Sequence, residues 1–307
     1  MKKLRSLRVP PADVPYFDVR GNRDGPQLTV LAGVHGAEYC SIAAARKFVL
    51  ELDPAAVRGR IVVVPVVNVA AFWARTPFVV PGDGLNLNRQ FPGDPAGSTS
   101  QVLADAVFSS LVVGADFLVD LHAGDIPEAL VPFTIFEESA VEGASRMLAD
   151  AYGLPHCVRQ PASARTVAGS TCAAAADVGI PAIVAEAGAN GLLEQSFVDL
   201  HLTGLRNVAR TVGVLDGEVV AGPPVEQHDG WHWLRTKDAG WWQPAVPVGA
   251  DVEAGDVLGT VGEVWGTGAV DVVSPDAGTV LFLTSSPAVS ADGLLLGLAR
   301  RHGRISA

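Results

Sequence analysis

Between residue 28 and about residue 215 the chain alternates two textures, and that alternation restricts its fold more than any other feature. Short runs rich in apolar and β-branched residues (QLTVLAG, GRIVVVPVVN, DFLVDLHAG and PAIVAEAG) are separated by segments with apolar residues at helical spacing: EYCSIAAARKFVLEL, STSQVLADAVFSSLV and SAVEGASRMLADAYG. A strand that is apolar throughout has two faces to bury, and a sheet covered by helices on both sides buries both. The expectation is an α/β fold with a mostly parallel or mixed sheet flanked by helices. Hydrophobic residues make up 49% of the 307 positions and charged residues 18%, enough for a substantial core.

The texture changes near residue 217. DGEVVAGPPVEQ reads as a linker, and beyond it short strand patterns and glycine turns replace helical periodicity. Two domains are expected, 1–217 carrying the α/β fold and 218–307 forming a small all-β barrel or sandwich. A formal net charge of −11 argues against nucleic acid or an anionic membrane surface as a partner, since either calls for a basic face. The basic N-terminus MKKLRSLRVPPADVPYF has no apolar segment behind it, so no secretory signal is expected. The longest apolar stretch, IVVVPVVNVAAFW, is too short to span a bilayer. Cys40, Cys157 and Cys172 are odd in number and lack CxxC spacing, which fits reduced thiols in a cytoplasmic protein.

Three of the apolar runs deliver polar residues to the same structural place. His35 and Glu38 follow the first run, His122 ends DFLVDLH, and Glu186 ends PAIVAE. In open α/β sheets ligands bind beyond the carboxyl ends of the strands. Alone, an HxxE after a strand can be an ordinary polar turn and a strand-ending histidine a core or capping residue. Four such residues from three strands form a constellation. Two histidines and a carboxylate make the open kind of zinc site that keeps a position for water. Glu186 is then placed to take a proton from that water and pass it to a leaving amine. The loop GDGLNLNRQFPG adds Asn88 and Arg89, an orienting amide and a guanidinium fork suited to a carboxylate. Arg75 lies upstream in the same connection.

GVHGAE, NLNRQFPG, DLHAG and AEAGANG, in that order, resemble the succinylglutamate desuccinylase/aspartoacylase family, a branch of the zinc carboxypeptidase superfamily, over roughly residues 25–215. The resemblance implies a zinc carboxypeptidase-like fold with one Zn²⁺ per chain on His35, Glu38 and His122. It implies Glu186 as general acid/base, Asn88 and Arg89 as holders of a substrate carboxylate, and Arg75 as the arginine that polarises the scissile carbonyl. The spacing of Arg75 differs from the family pattern, and Ala37 stands where an asparagine is common. The implied substrate is a small N-acyl amino acid, deacylated at its amide. A zinc carboxypeptidase cleaving short peptides, and a non-catalytic binding protein on an old enzyme scaffold, are the competing readings. Arg159 and Arg165, before the Glu186 strand, are further candidates for reading an acidic substrate group.

The C-terminal region resembles a biotinyl/lipoyl-type barrel, but the last lysine is Lys237, ahead of the barrel proper, so no hairpin-tip lysine exists to accept a cofactor. A cover for the active-site cleft or a homo-oligomer contact is the expected role. DGWHWLRTKDAGWWQP holds four of the six tryptophans, a density that suggests a buried interface or a substrate wall. His228 and His232 lack an evident third partner and read as non-ligating, and His156, His201 and His302 carry no recognisable constellation.

Overall fold

The computed structural model describes residues 1–10 and 12–301; His302 lies outside the described residues. The chain opens with β1 (Lys2–Leu7) and β2 (Val14–Arg20) and then enters β3 (Arg23–Ala32). Helix α1 (Tyr39–Glu51), β4 (Arg58–Val64), the short α2 (Val69–Ala74), α3 (Thr99–Val107) and β5 (Phe117–His122) follow. Next come β6 (Glu128–Leu130), β7 (Phe133–Glu137), α4 (Glu142–Tyr152), β8 (His156–Gln160), α5 (Thr171–Asp177), β9 (Ala182–Glu186) and α6 (Gln195–Thr211). The rest is strand: β10 (Glu226–Arg235), β11 (Gly240–Pro244), β12 (Asp251–Val252), β13 (Val257–Gly262), β14 (Val270–Val273), β15 (Gly278–Thr284), β16 (Ala288–Val289) and β17 (Leu294–Arg301).

The large sheet has the order β1-β2-β4-β3-β5-β9-β7-β8-β10-β17-β15-β12, with β6 joined to β15. Its centre, β4-β3-β5-β9, is parallel; β7 runs against β9, and β7, β8 and β10 are parallel to one another. Alternate residues of each central strand serve opposite faces. Val30, Val63 and Val119 pack against Phe48, Leu148 and Leu205 from α1, α4 and α6. Leu31, Val62 and Leu118 face the other way, into a core shared with Leu103 of α3, Ala174 and Ala175 of α5, and Trp231 and Phe282. The expected mixed sheet with helices on both sides is present.

The C-terminal region is all β, and it divides its strands between two sheets. β14-β13-β11-β16 form a small antiparallel sheet, whereas β10, β17, β15 and β12 continue the large one. The expected boundary at residue 217 falls between α6 and β10. Among the described residues no helix is long and apolar enough to cross a membrane. The three cysteines are buried and unpaired.

Candidate active site

The register of the sheet places the candidate residues. His122, last in β5, pairs directly with Glu186, last in β9. β3 lies on the other side of β5 and ends at Ala32, so the turn that follows it carries His35 and Glu38 to the same edge. That turn passes close under α2. A Cβ on Gly36 would lie 2.2 Å from the Phe72 backbone nitrogen, so no larger residue fits between the histidine and the glutamate.

Glu38 occupies the N-cap position of α1, yet its side chain caps nothing there. It turns inward to His35 Nδ1 at 2.6 Å and His122 Nδ1 at 3.0 Å, and the Ala123 amide donates to it at 3.1 Å. Burial works against its charge, but His122 and His35 more than offset that and hold the carboxyl down at about 2. The second nitrogen of each imidazole is held as well. His122 Nε2 lies 3.0 Å from Asp120 Oδ2, and His35 Nε2 lies 3.1 Å from Asn86 Oδ1. The Thr171 hydroxyl also donates to Asp120.

His35, Glu38 and His122 are all buried, and one donor atom from each lies within 4.8 Å of the others. Two imidazoles and an ionised carboxylate, with a carboxylate behind one imidazole, match the donor set and outer shell of a catalytic zinc site. The residues present therefore fit a divalent metal of that kind.

These three open onto a cavity of about 260 Å³ that is also lined by Asn88, Glu186 and Glu128. Its remaining wall is mostly apolar, with Phe133, Trp231, Trp233 and Phe282 prominent. Trp233 and Phe282 meet edge to face at 5.5 Å, and both contact Trp231. The tryptophan-rich segment thus supplies a wall of the cavity, while Trp242 is buried in the separate C-terminal core. Burial pushes the Glu186 carboxyl well above the ordinary carboxylate range; His122 pulls it down, and Glu38, Glu128 and Asp120 push it further up.

Asn88 is buried, with its amide 3.5 Å from His122 Nε2 and its oxygen accepting the Thr171 amide at 3.1 Å. Arg89 sits at the margin. Its guanidinium lies over the Trp233 ring at 5.5 Å and donates to the Asn88 carbonyl at 2.6 Å. Arg75 is exposed, a left-handed residue capping the end of α2, and does not line the cavity. Arg159 is held by Glu138, Glu142 and Asp229, and Arg165 by Glu137 and Asp177; neither lines the cavity. The structure therefore gathers His35, Glu38, Asn88, His122 and Glu186, keeps Arg89 beside them, and leaves Arg75 apart.

Two acidic residues join the site that the sequence does not single out. Asp125 accepts the Phe78 amide at 2.8 Å and so ties down the loop whose Phe78 ring stands edge-on to His35 at 5.6 Å. Glu128, in the three-residue β6, faces the cavity, and its carboxylate makes no hydrogen bond or ion pair among the described residues. Burial, then Glu38 and Asp125, pushes it up to about 8. A half-buried carboxylate in a mostly apolar wall, with no partner of its own, favours an arriving cation.

A profile of the succinylglutamate desuccinylase/aspartoacylase catalytic domain matches residues 24–212, a span that contains every polar candidate residue above but not Trp231, Trp233 or Phe282. The N-alpha-acetyl-L-2,4-diaminobutyric acid deacetylase of Halomonas elongata is 28% identical over 258 residues, covering 81% of this chain and 74% of that protein. Among solved structures, a succinylglutamate desuccinylase/aspartoacylase from Rhodobacter sphaeroides superposes with a TM-score of 0.87 at 24% identity, covering 98% of this chain and 96% of the other. A product-bound ectoine utilization protein from Ruegeria pomeroyi gives 0.86 at 24% identity, covering 98% and 95%. At these identities the two structures share the fold.

Proposed function

The chain belongs to the succinylglutamate desuccinylase/aspartoacylase family, and from that premise we propose that it is a zinc-dependent deacylase hydrolysing the amide of a small N-acyl diamino acid. The observation that carries this reading is the convergence of His35, Glu38, His122 and Glu186 on one cavity that also has the Glu128 carboxylate in its wall. Zinc held by His35, Glu38 and His122 would polarise the acyl carbonyl and lower the pKa of an attacking water to roughly 7.

The remaining work falls to side chains. Glu186 takes the proton that water loses as its oxygen bonds to the acyl carbon, then gives it to the nitrogen as the C–N bond breaks. The products are a short carboxylic acid and a free amine. Asn88 and Arg89 hold the substrate carboxylate, the amide from inside the cavity and the guanidinium from its margin. Glu128 and the faces of Trp231 and Trp233 receive the free ammonium of the diamino acid. The relative from Halomonas elongata, whose name specifies an acetylated diaminobutyrate, supports that substrate class. Arg75, exposed and outside the cavity, has no part in this reading.

The test is Glu186→Gln. Its kcat on N-alpha-acetyl-L-2,4-diaminobutyrate is expected to fall by about 10²–10⁴, the usual worth of a positioned proton carrier, with metal content unchanged. Near-normal turnover in that variant would remove Glu186 from the mechanism.

A further inference from the structure

A second set of metal-competent side chains meets away from the cavity. His156 is the first residue of β8; Glu226 and His228 are alternate residues of β10, whose start pairs in parallel with β8. His156 Nδ1 lies 3.2 Å from His228 Nε2 and 3.4 Å from Glu226 Oε2. We propose that His156, Glu226 and His228 form a second divalent-cation site, of zinc type, that pins the C-terminal strand β10 to β8.

The separations argue for this. Around a tetrahedral ion with bonds of about 2.0–2.1 Å, neighbouring ligand atoms stand about 3.3–3.4 Å apart. Two of the three separations match that edge within 0.2 Å, and the third, between His228 and Glu226, is at most 4.8 Å, so the exposed Glu226 side chain has only a short way to close. The tautomer argues the same way. His228 Nδ1 lies 3.2 Å from the Arg300 carbonyl, which can only accept, so Nδ1 carries the proton and the Nε2 lone pair faces His156. A ring nitrogen donating to a backbone carbonyl while the other faces the ion is the usual support of a ligating histidine.

Burial is graded across the set. The His228 side chain lies in the interior, His156 is 17% exposed and Glu226 47%, so a fourth position can open to water on the Glu226 side. The nearby Arg301 guanidinium is engaged by Glu253 at 2.9 Å and Asp251 at 3.7 Å.

The site is separate from the catalytic one. His122, Glu186, Phe133, His156 and Glu226 are paired in sequence across adjacent strands. His122 and His156 are three strands apart, about 14 Å of backbone, and cannot share an ion. The alternative is a plain hydrogen bond in which His156 Nδ1–H donates to His228 Nε2, with no metal. It differs in one measurable respect, the number of ions bound.

The experiment is a zinc and cobalt titration of the full-length, chelator-stripped protein, followed by elemental analysis after desalting. Wild type, His122→Ala, His228→Ala and Glu226→Gln are compared, the last keeping the proposal testable should His228→Ala fold poorly. The proposal predicts two equivalents in wild type, one in each variant, and deacylase activity within twofold of wild type in His228→Ala and Glu226→Gln. An ion lost in His228→Ala and Glu226→Gln but not in His122→Ala would support this site and count against the catalytic one. Equal stoichiometry and equal zinc affinity in wild type, His228→Ala and Glu226→Gln would overturn it.

Discussion

Glu38 is the hinge of the candidate active site, because one carboxylate reaches both imidazoles while its own backbone starts α1. Holding two donors on the turn after β3 against a third at the end of β5 limits the reorganisation that metal binding requires. His35, Glu38, His122 and Glu186 were legible in the sequence for one reason: each is a polar residue at or just past the end of an apolar run, where a buried strand has no other use for it. Glu128 was not legible. Nothing in DIPEALVP distinguishes it, and its position is set by β6 pairing with β15, where Glu128 stands opposite Thr284. No local pattern encodes a contact of that range. If Glu128 receives a substrate ammonium, Glu128→Gln should lower kcat/KM for N-alpha-acetyl-L-2,4-diaminobutyrate by about 10–100-fold, the worth of a charge-assisted hydrogen bond. The same variant should leave turnover of N-acetyl-L-norvaline, an analogue of similar shape with an uncharged side chain, nearly unchanged. Equal losses on both substrates would make Glu128 structural.

At the scale of elements, β3, β4, β5 and β9 could be read from sequence because they are buried on both faces. β8 could not. HCVRQ carries three polar residues in five, and it is a strand because β7 and β10 pair with both its edges. The N-terminal hairpin shows how a polar edge is stabilised instead. Asp18 of β2 is 2% exposed and lies within reach of Arg5 at 3.0 Å, Arg20 at 3.3 Å and Arg60 at 2.8 Å. Burial raises its pKa, but Arg60 and then Arg20 pull harder, and the net value falls below the ordinary 3.8. A depressed carboxylate stabilises the fold fully above its unfolded value, and the contribution is lost as pH falls through the lowered one. Asp18→Asn should therefore cost about 1–3 kcal/mol at pH 7 by urea unfolding, the usual cost of unpairing buried charge-assisted bonds. The difference from wild type should shrink below about pH 4. A constant difference across that range would mean the aspartate acts by packing rather than by charge.

For the whole molecule, the two halves of the chain are joined by a continuous sheet and by one cavity. β8 of the first half pairs with β10 of the second, and Trp231, Trp233, Phe282 and Leu294 close the space over the candidate metal ligands. The barrel-like signature in the C-terminal sequence indicated β structure correctly. It could not show that half of those strands extend the main sheet, because strand partners so distant in sequence leave no periodicity. Walling the cavity from both halves makes it small and largely apolar, conditions that strengthen each polar contact inside it.

In the proposed mechanism, metal at His35, Glu38 and His122 is what makes the cavity a deacylase. The direct measurement is acetate released from N-alpha-acetyl-L-2,4-diaminobutyrate by the purified protein, by the same protein after chelation, and after zinc is returned, with His122→Ala alongside. Turnover is expected to fall to background on chelation, to recover with zinc, and never to appear in His122→Ala. Turnover unaffected by chelation or by His122→Ala, or no acetate from the zinc-loaded wild type, would contradict it.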